Sequence, residues 1–204
     1  MRRFVVLGRT ATASPGFSLD DIPGSSGRLD VLLRALKSAL LFSHGLRRDT
    51  IAYLVLLGDP AAPRAIRVDG RVAEYIRPDE RSLAGRVKNA LAWEVGAPGF
   101  AVERQGMAVA HGGLDAVVAE LGIVSPYVLE EGGQDVRFVA LDADNPVFFV
   151  GDHLGFDSAI RRSLDSLGAV PISVGPVSVH ADDAIALVHN ELDRRLVGSR
   201  ATSL

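Results

Sequence analysis

The chain has 204 residues, enough for one compact domain, with no cysteine and a formal net charge of −3. Those figures exclude disulfides, thiolate metal sites, a cysteine nucleophile and any global basic field that would attract nucleic acid. No apolar run is long enough to span a bilayer, and the opening MRRFVVLG ends too early at Gly8-Arg9 for a signal peptide, so a cytoplasmic, soluble protein is expected.

Arg3–Leu7 reads as a short core strand. Thr10–Ser26, rich in Ser, Thr, Gly and Pro, reads as a long loop of the kind that is functional or mobile. Leu29, Leu32, Leu33, Leu36, Leu40 and Leu41 recur at helical spacing to about Ser43, decorated by Arg28, Arg34 and Lys37. Ile51–Leu57 is an unbroken apolar run, hence a buried strand, and it ends in Gly58-Asp59-Pro60. Ala65–Val68 and Val72–Tyr75 flank Asp69-Gly70, a hairpin signal. Asp79 or Ser82 caps a helix whose apolar stripe is Leu83, Val87 and Leu91.

Phe100–Val109 reads as one strand, and Gly112-Gly113 opens a short helix. Val124–Leu129 is a further strand, followed by a polar turn over Glu130–Gln134. Val147–Val150 and Val170–Val174 are two more strands, each ending in a glycine turn, with a helix over Phe156–Leu167 between them. Ala184, Ile185, Val188 and Leu192 form the stripe of a final helix. The alternation predicts an α/β fold: a mostly parallel sheet covered by helices on both faces. The turns at Gly151 and Gly175 are expected at the carboxyl ends of adjacent parallel strands, where ligands bind in open α/β sheets.

Several chemistries are excluded. No GxGxxG or GxxxxGK[ST] follows a strand. The five histidines lack zinc-like spacing, and no metal site is expected. Of the 22 basic residues only Lys37 and Lys88 are lysine, and arginine suits bidentate phosphate contacts. A GC-rich coding bias explains the same excess.

Six blocks, MRRFVVLG, FSLDDIPGSSGRLDVLLRAL, LVLLGDP, RPDERS, NPVFFVGDH and SVGPVSVHADDAIALVHNELD, together resemble the TrmY family of SPOUT methyltransferases. They cover nearly the whole chain in the family's order. The resemblance implies one domain over residues 1–204 with a carboxyl-terminal trefoil knot at about 125–195. It implies S-adenosylmethionine as cofactor, a homodimer, and transfer of a methyl group to N1 of pseudouridine 54 of transfer RNA. Carried over by position, Leu129, Gly151, Val174, Gly175, Pro176, Val177, Ser178 and Val179 would meet the cofactor. Phe17–Gly27 and the turn at Asp59 would face the RNA, with Asp59 accepting the N1 proton. Arg28, Arg34 and Arg81 are the candidates for phosphate contacts. Many archaeal members carry a cysteine near the last cofactor loop and this chain has none. Another RNA target, or a non-catalytic RNA-binding module on the same scaffold, therefore stays open.

Overall fold

A computed structural model describes residues 1–58, 63–95, 99–100, 102–122 and 126–201. In chain order the elements are β1 (Arg2–Thr12), α1 (Ile22–Ser25), α2 (Leu29–Leu40), β2 (Leu41–Phe42), β3 (Gly45–Leu46), β4 (Thr50–Gly58), β5 (Arg64–Asp69) and α3 (Glu80–Leu91). They continue with β6 (Val102–Arg104), β7 (Met107–His111), α4 (Gly113–Leu121), β8 (Tyr127–Asp135), a 3₁₀ turn (Val136–Phe138), β9 (Val147–Gly151), α5 (Ser158–Ser166), β10 (Val170–Ser173) and α6 (Ala181–Ala201).

Eight strands form one sheet in the order β10-β8-β9-β1-β4-β5-β7-β6. The pairings from β10 across to β4 are parallel. Those from β4 across to β6 are antiparallel. Alternation along β1 splits its side chains between two cores. Phe4 and Val6 face α2, α3 and α6, whereas Val5 and Leu7 face α4 and α5. Both faces are therefore covered, as expected of a buried parallel sheet. Among the described residues no helix is long and apolar enough to cross a membrane.

Three expectations are corrected. Val72–Tyr75 is not a strand, so Asp69-Gly70 makes no hairpin. The Asp69 carboxylate instead accepts from the Arg71 backbone N–H at 2.9 Å, and Arg48 donates to the carbonyls of Gly70, Arg71 and Ala73. The chain turns away, and β7 takes the place beside β5. Phe100–Val109 is not one strand but the hairpin β6–β7, turned at Gln105 and Gly106, both in the left-handed region. β9 and β10 are not neighbours, because β8 lies between them.

The loop before α2 is tied down. Phe17 and Ile22 are buried, and Lys88 donates to the Phe17 carbonyl while lying over its ring. Asp79 caps α3 by accepting from the Ser82 N–H at 2.8 Å.

The last helix is fastened to the first strand through His189. Its ring lies 4.8 Å from that of Phe4. Arg2 Nη1 donates to Nδ1 at 2.9 Å, so Nε2 carries the proton and donates to the Ala39 carbonyl at 3.0 Å. Burial, with the charges of Arg47 and Arg2 behind it, pushes the imidazole down to about 3. An unfolded histidine takes up a proton near 6.5, whereas the folded one does not. Stability is therefore lost as pH falls from 6.5 toward 3. Between pH 6.5 and about 5, above the carboxylate range, the loss should approach about 1.4 kcal/mol per pH unit from this residue alone. Urea unfolding across that window should show the slope in the wild type and its disappearance in His189→Gln, whose amide can make both hydrogen bonds without titrating.

Candidate active site

The β8–β10 pairing creates the site. Val170 and Pro171 pair with Tyr127 and Val128, but Ile172 and Ser173 pair with Gln134 and Asp135. Residues 129–133 are left out of the ladder and bow outward. Gly133 marks the return, since a Cβ there would lie 2.5 Å from the Ile172 backbone nitrogen. Only glycine allows the two backbones to come so close.

The bow, the turn after β9, the loop after β10 and the start of α2 surround one cleft of about 1080 Å³ at the carboxyl ends of the parallel strands. It joins residues that the sequence could only nominate one by one. Leu129, Gly151, Val174, Val177, Ser178 and Val179 all line it, as do Arg28 and Arg34. Gly175 and Pro176 lie on the same loop between two wall residues but do not line the cleft. Arg81 is elsewhere, paired with Asp20 and the Leu19 carbonyl. Asp59 lies outside the described residues; its neighbour Gly58 ends β4 against Thr12.

The walls are of two kinds. Leu129, Val150, Phe156, Val174 and Val177 offer apolar surface suited to a flat ring. The loops between them offer backbone. At Gly151 an added Cβ would lie 2.9 Å from the Gly155 Cα, so two chain segments touch there without side chains between them. Polar groups hold these loops. The buried Asp152 carboxylate accepts from the Arg9 N–H at 2.7 Å and the Leu154 N–H at 2.8 Å. The Asp152 N–H in turn donates to the Leu7 carbonyl at 3.0 Å. The turn after β9 is thus stitched to the end of β1. Ser173 Oγ donates to the Gly175 carbonyl at 2.8 Å and fixes the start of the last loop. The bow is held from both sides: Glu130 pairs with Arg161 on α5, and Glu131 accepts from the Ser178 hydroxyl.

Asp152, Glu130, Glu131 and Arg161 were not singled out from the sequence. Glu130 and Glu131 read there as a polar turn, and nothing local distinguishes a turn from a segment bowed out of a ladder. Among the described residues, His180, Asp182 and Asp183 bring potential ligand atoms within 4.8 Å of one another at the start of α6. Two of these three are exposed, and acidic groups there also favour the positive end of the helix.

Residues 1–197 match a protein family described as "Putative SAM-dependent RNA methyltransferase". The chain belongs to that family. The resemblance drawn from the six sequence blocks is thereby borne out. Among relatives in this family, the tRNA (pseudouridine(54)-N(1))-methyltransferase of Methanosarcina acetivorans is 40% identical over 194 residues, 95% of this chain and 92% of its own. The protein of the same name from Halobacterium salinarum is 42% identical over 196 residues, 95% of this chain and 96% of its own. Of solved structures, Archaeoglobus fulgidus Nep1 bound to S-adenosylhomocysteine superposes with a TM-score of 0.61 at 16% identity. That match covers 95% of this chain and 97% of Nep1, so the two share a fold.

The crossing at Gly133 makes a direct prediction. Gly133→Ala should destabilise the protein by about 1–3 kcal/mol, because backbone rather than a flexible side chain must yield. Gly132→Ala, where an added Cβ meets nothing within 4 Å, should leave the urea midpoint unchanged.

Proposed function

We propose that this chain transfers the methyl group of S-adenosylmethionine to N1 of a pseudouridine in transfer RNA, at the position that its relatives' names give as 54. The observation that carries the proposal is identity of about 40% over nearly the full length of relatives so named. The cleft agrees with it, since apolar walls alternate with backbone-lined loops, the donor set that a nucleoside ring and its edge need.

Leu129, Val174 and Val177 would hold the ring of the cofactor, with Gly151, Ser178 and Val179 presenting backbone to its polar edges and Gly175 and Pro176 turning the loop that carries them. When bound, the cofactor supplies a methyl group already activated on a sulfonium. The work left to the protein is to orient the base and to take its N1 proton. Positioning of this kind can remove up to about 7–11 kcal/mol of a barrier. Asp59, which follows β4 in the chain, is the candidate for receiving that proton. Arg28 and Arg34 at the cleft are candidates for RNA phosphates. Arg81, which braces the loop at Asp20, is a third.

In this reading residues 1–204 form one domain working in the cytoplasm, and the segment at about 125–195 is threaded as a trefoil knot. The return of β10 past β9 to pair with β8, around a bowed segment, supports that threading. The protein pairs as a homodimer. Phe138 in the 3₁₀ turn after β8 and Val197 on α6, 75% and 70% exposed, would supply apolar surface for a partner copy to cover.

Calorimetry should find about one S-adenosylmethionine bound per chain. Val177→Trp, at a cleft residue 68% exposed, should weaken that binding by at least about tenfold with an unchanged melting temperature. A transcript bearing pseudouridine at position 54 should gain one methyl group in a nucleoside digest, and the same transcript with uridine should gain none. Asp59→Asn should slow transfer by about a hundredfold while cofactor binding survives. Absence of cofactor binding by folded wild-type protein would refute the reading.

A further inference from the structure

The start of α2 is built in an unusual way. A helix normally begins with a small polar cap in an extended conformation. Here the residue before the first helical one is Arg28, with φ 67° and ψ 35°, and its side chain makes no capping bond. Ser26 does the capping instead, its hydroxyl accepting from the Leu29 N–H at 3.2 Å. Gly27 precedes it at φ +61°, where a Cβ would fall 1.9 Å from the Thr10 carbonyl oxygen. The turn is sewn to β1, with Thr12 N–H donating to the Ser26 carbonyl at 2.9 Å and Thr10 Oγ1 to that of Gly27 at 2.8 Å. A left-handed arginine is held only where its surroundings impose it, and such strain gathers at working sites.

What the strain achieves is visible in the side chain. Arg28 Nε and Nη2 donate to the two oxygens of Asp30 at 2.9 and 3.1 Å. Arg34, one helical turn on, donates from Nη1 to the same carboxylate at 3.0 Å. The Asp30 side chain is only 4% exposed, whereas those of Arg28 and Arg34 are 45% and 41% exposed. Burial opposes ionisation of Asp30, but its bonds to the two guanidiniums outweigh it and keep the carboxyl below its usual range. Glu80 lies 3.9 Å from Arg34, beyond hydrogen-bonding distance. Both arginines border the cleft that holds the glycine turn after β9.

We infer that Asp30 is a positioning residue: a buried carboxylate that aims Arg28 and Arg34 as a paired fork at one phosphate of the substrate RNA. The inference rests on the RNA methyltransferase reading above. Arg28 gives one edge and Arg34 a single Nη1 N–H to Asp30, and both guanidiniums keep N–H groups for a second anion. Two guanidiniums on a common anchor match a phosphodiester, which accepts several N–H bonds at once. The carboxylate of the cofactor's methionyl end offers similar chemistry, and the two sources separate experimentally.

Charge and geometry make opposite predictions for Asp30→Asn. Removing a negative charge beside two arginines should tighten RNA binding if only charge matters. If Asp30 aims the fork, binding should weaken although the surface has become more positive. Fluorescence anisotropy with a transfer RNA transcript bearing pseudouridine at position 54, over a series of salt concentrations, measures this. The expected result is a loss of about tenfold in affinity, with the slope of log K against log salt reduced by about one. Affinity for S-adenosylmethionine should stay within about twofold of wild type, which assigns the anion to RNA. RNA binding that is unchanged or tighter in Asp30→Asn would overturn the inference, as would a loss confined to the cofactor. If Asp30→Asn does not fold, the double variant Arg28→Lys with Arg34→Lys keeps both charges without the fork. It should lose affinity similarly, and wild-type binding by it would equally overturn the inference. Failure of the wild-type protein itself to bind cofactor or RNA would instead refute the underlying reading, and the inference with it.

Discussion

The site depends on one close approach between two backbones. Gly133 and Ile172 touch where β8 rejoins β10 after residues 129–133 have left the ladder. Had the ladder been continuous, Leu129 to Gly133 would lie flat in the sheet with side chains alternating between its faces. Bowed out, Leu129 to Gly132 become one wall of a cleft whose other walls are the ends of β9 and β10 and the start of α2. A Cβ at position 133 would force the strands apart there.

A cleft made of loops holds its shape only if its backbone polar groups are satisfied. The fixings are few and specific. Asp152 joins the ends of β9 and β1, Ser173 fixes the beginning of the last loop, and Glu130 and Glu131 tie the bow to α5 and to Ser178. Those of Asp152, Glu130 and Glu131 join segments distant in the chain, whereas Ser173 acts locally on its own turn. Side chains thus place the loops, and the loops present backbone to the cleft.

The abundance of arginine has a second meaning once the fold is known. Several of these side chains face inward, to carbonyl groups at the ends of elements. Arg64 is buried and donates to Leu91 and Trp93 at the end of α3. Arg195 ties α6 to the carbonyls of Val136 and Val139. Arg2 and Arg47 share Asp193. Long side chains with several donors suit this task, since one guanidinium can close two or three open carbonyls. Composition alone cannot separate these clamps from an RNA-facing surface.

Periodicity along the chain identified the buried strands β1, β4 and β9 and the helices α2, α3, α5 and α6, because burial of one stripe or one continuous run leaves a local pattern. The glycines at 151 and 175 and the ordered family blocks pointed to the loops and to the chemistry. Which strands are neighbours left no such pattern, and β8 between β9 and β10 was therefore not foreseen. The sequence reads as a strand ending at Leu129 and a polar turn over Glu130–Gln134, and the bow at 129–133 escapes it for the same reason: its cause is a pairing shift with a strand about forty residues away. Asp69-Gly70 went the other way, a strong local hairpin signal overruled by Arg48 and by β7. Local sequence decided where the elements lie and which residues they bury. Only the packed structure decided which loops meet, because that follows from backbone contacts between segments far apart in the chain.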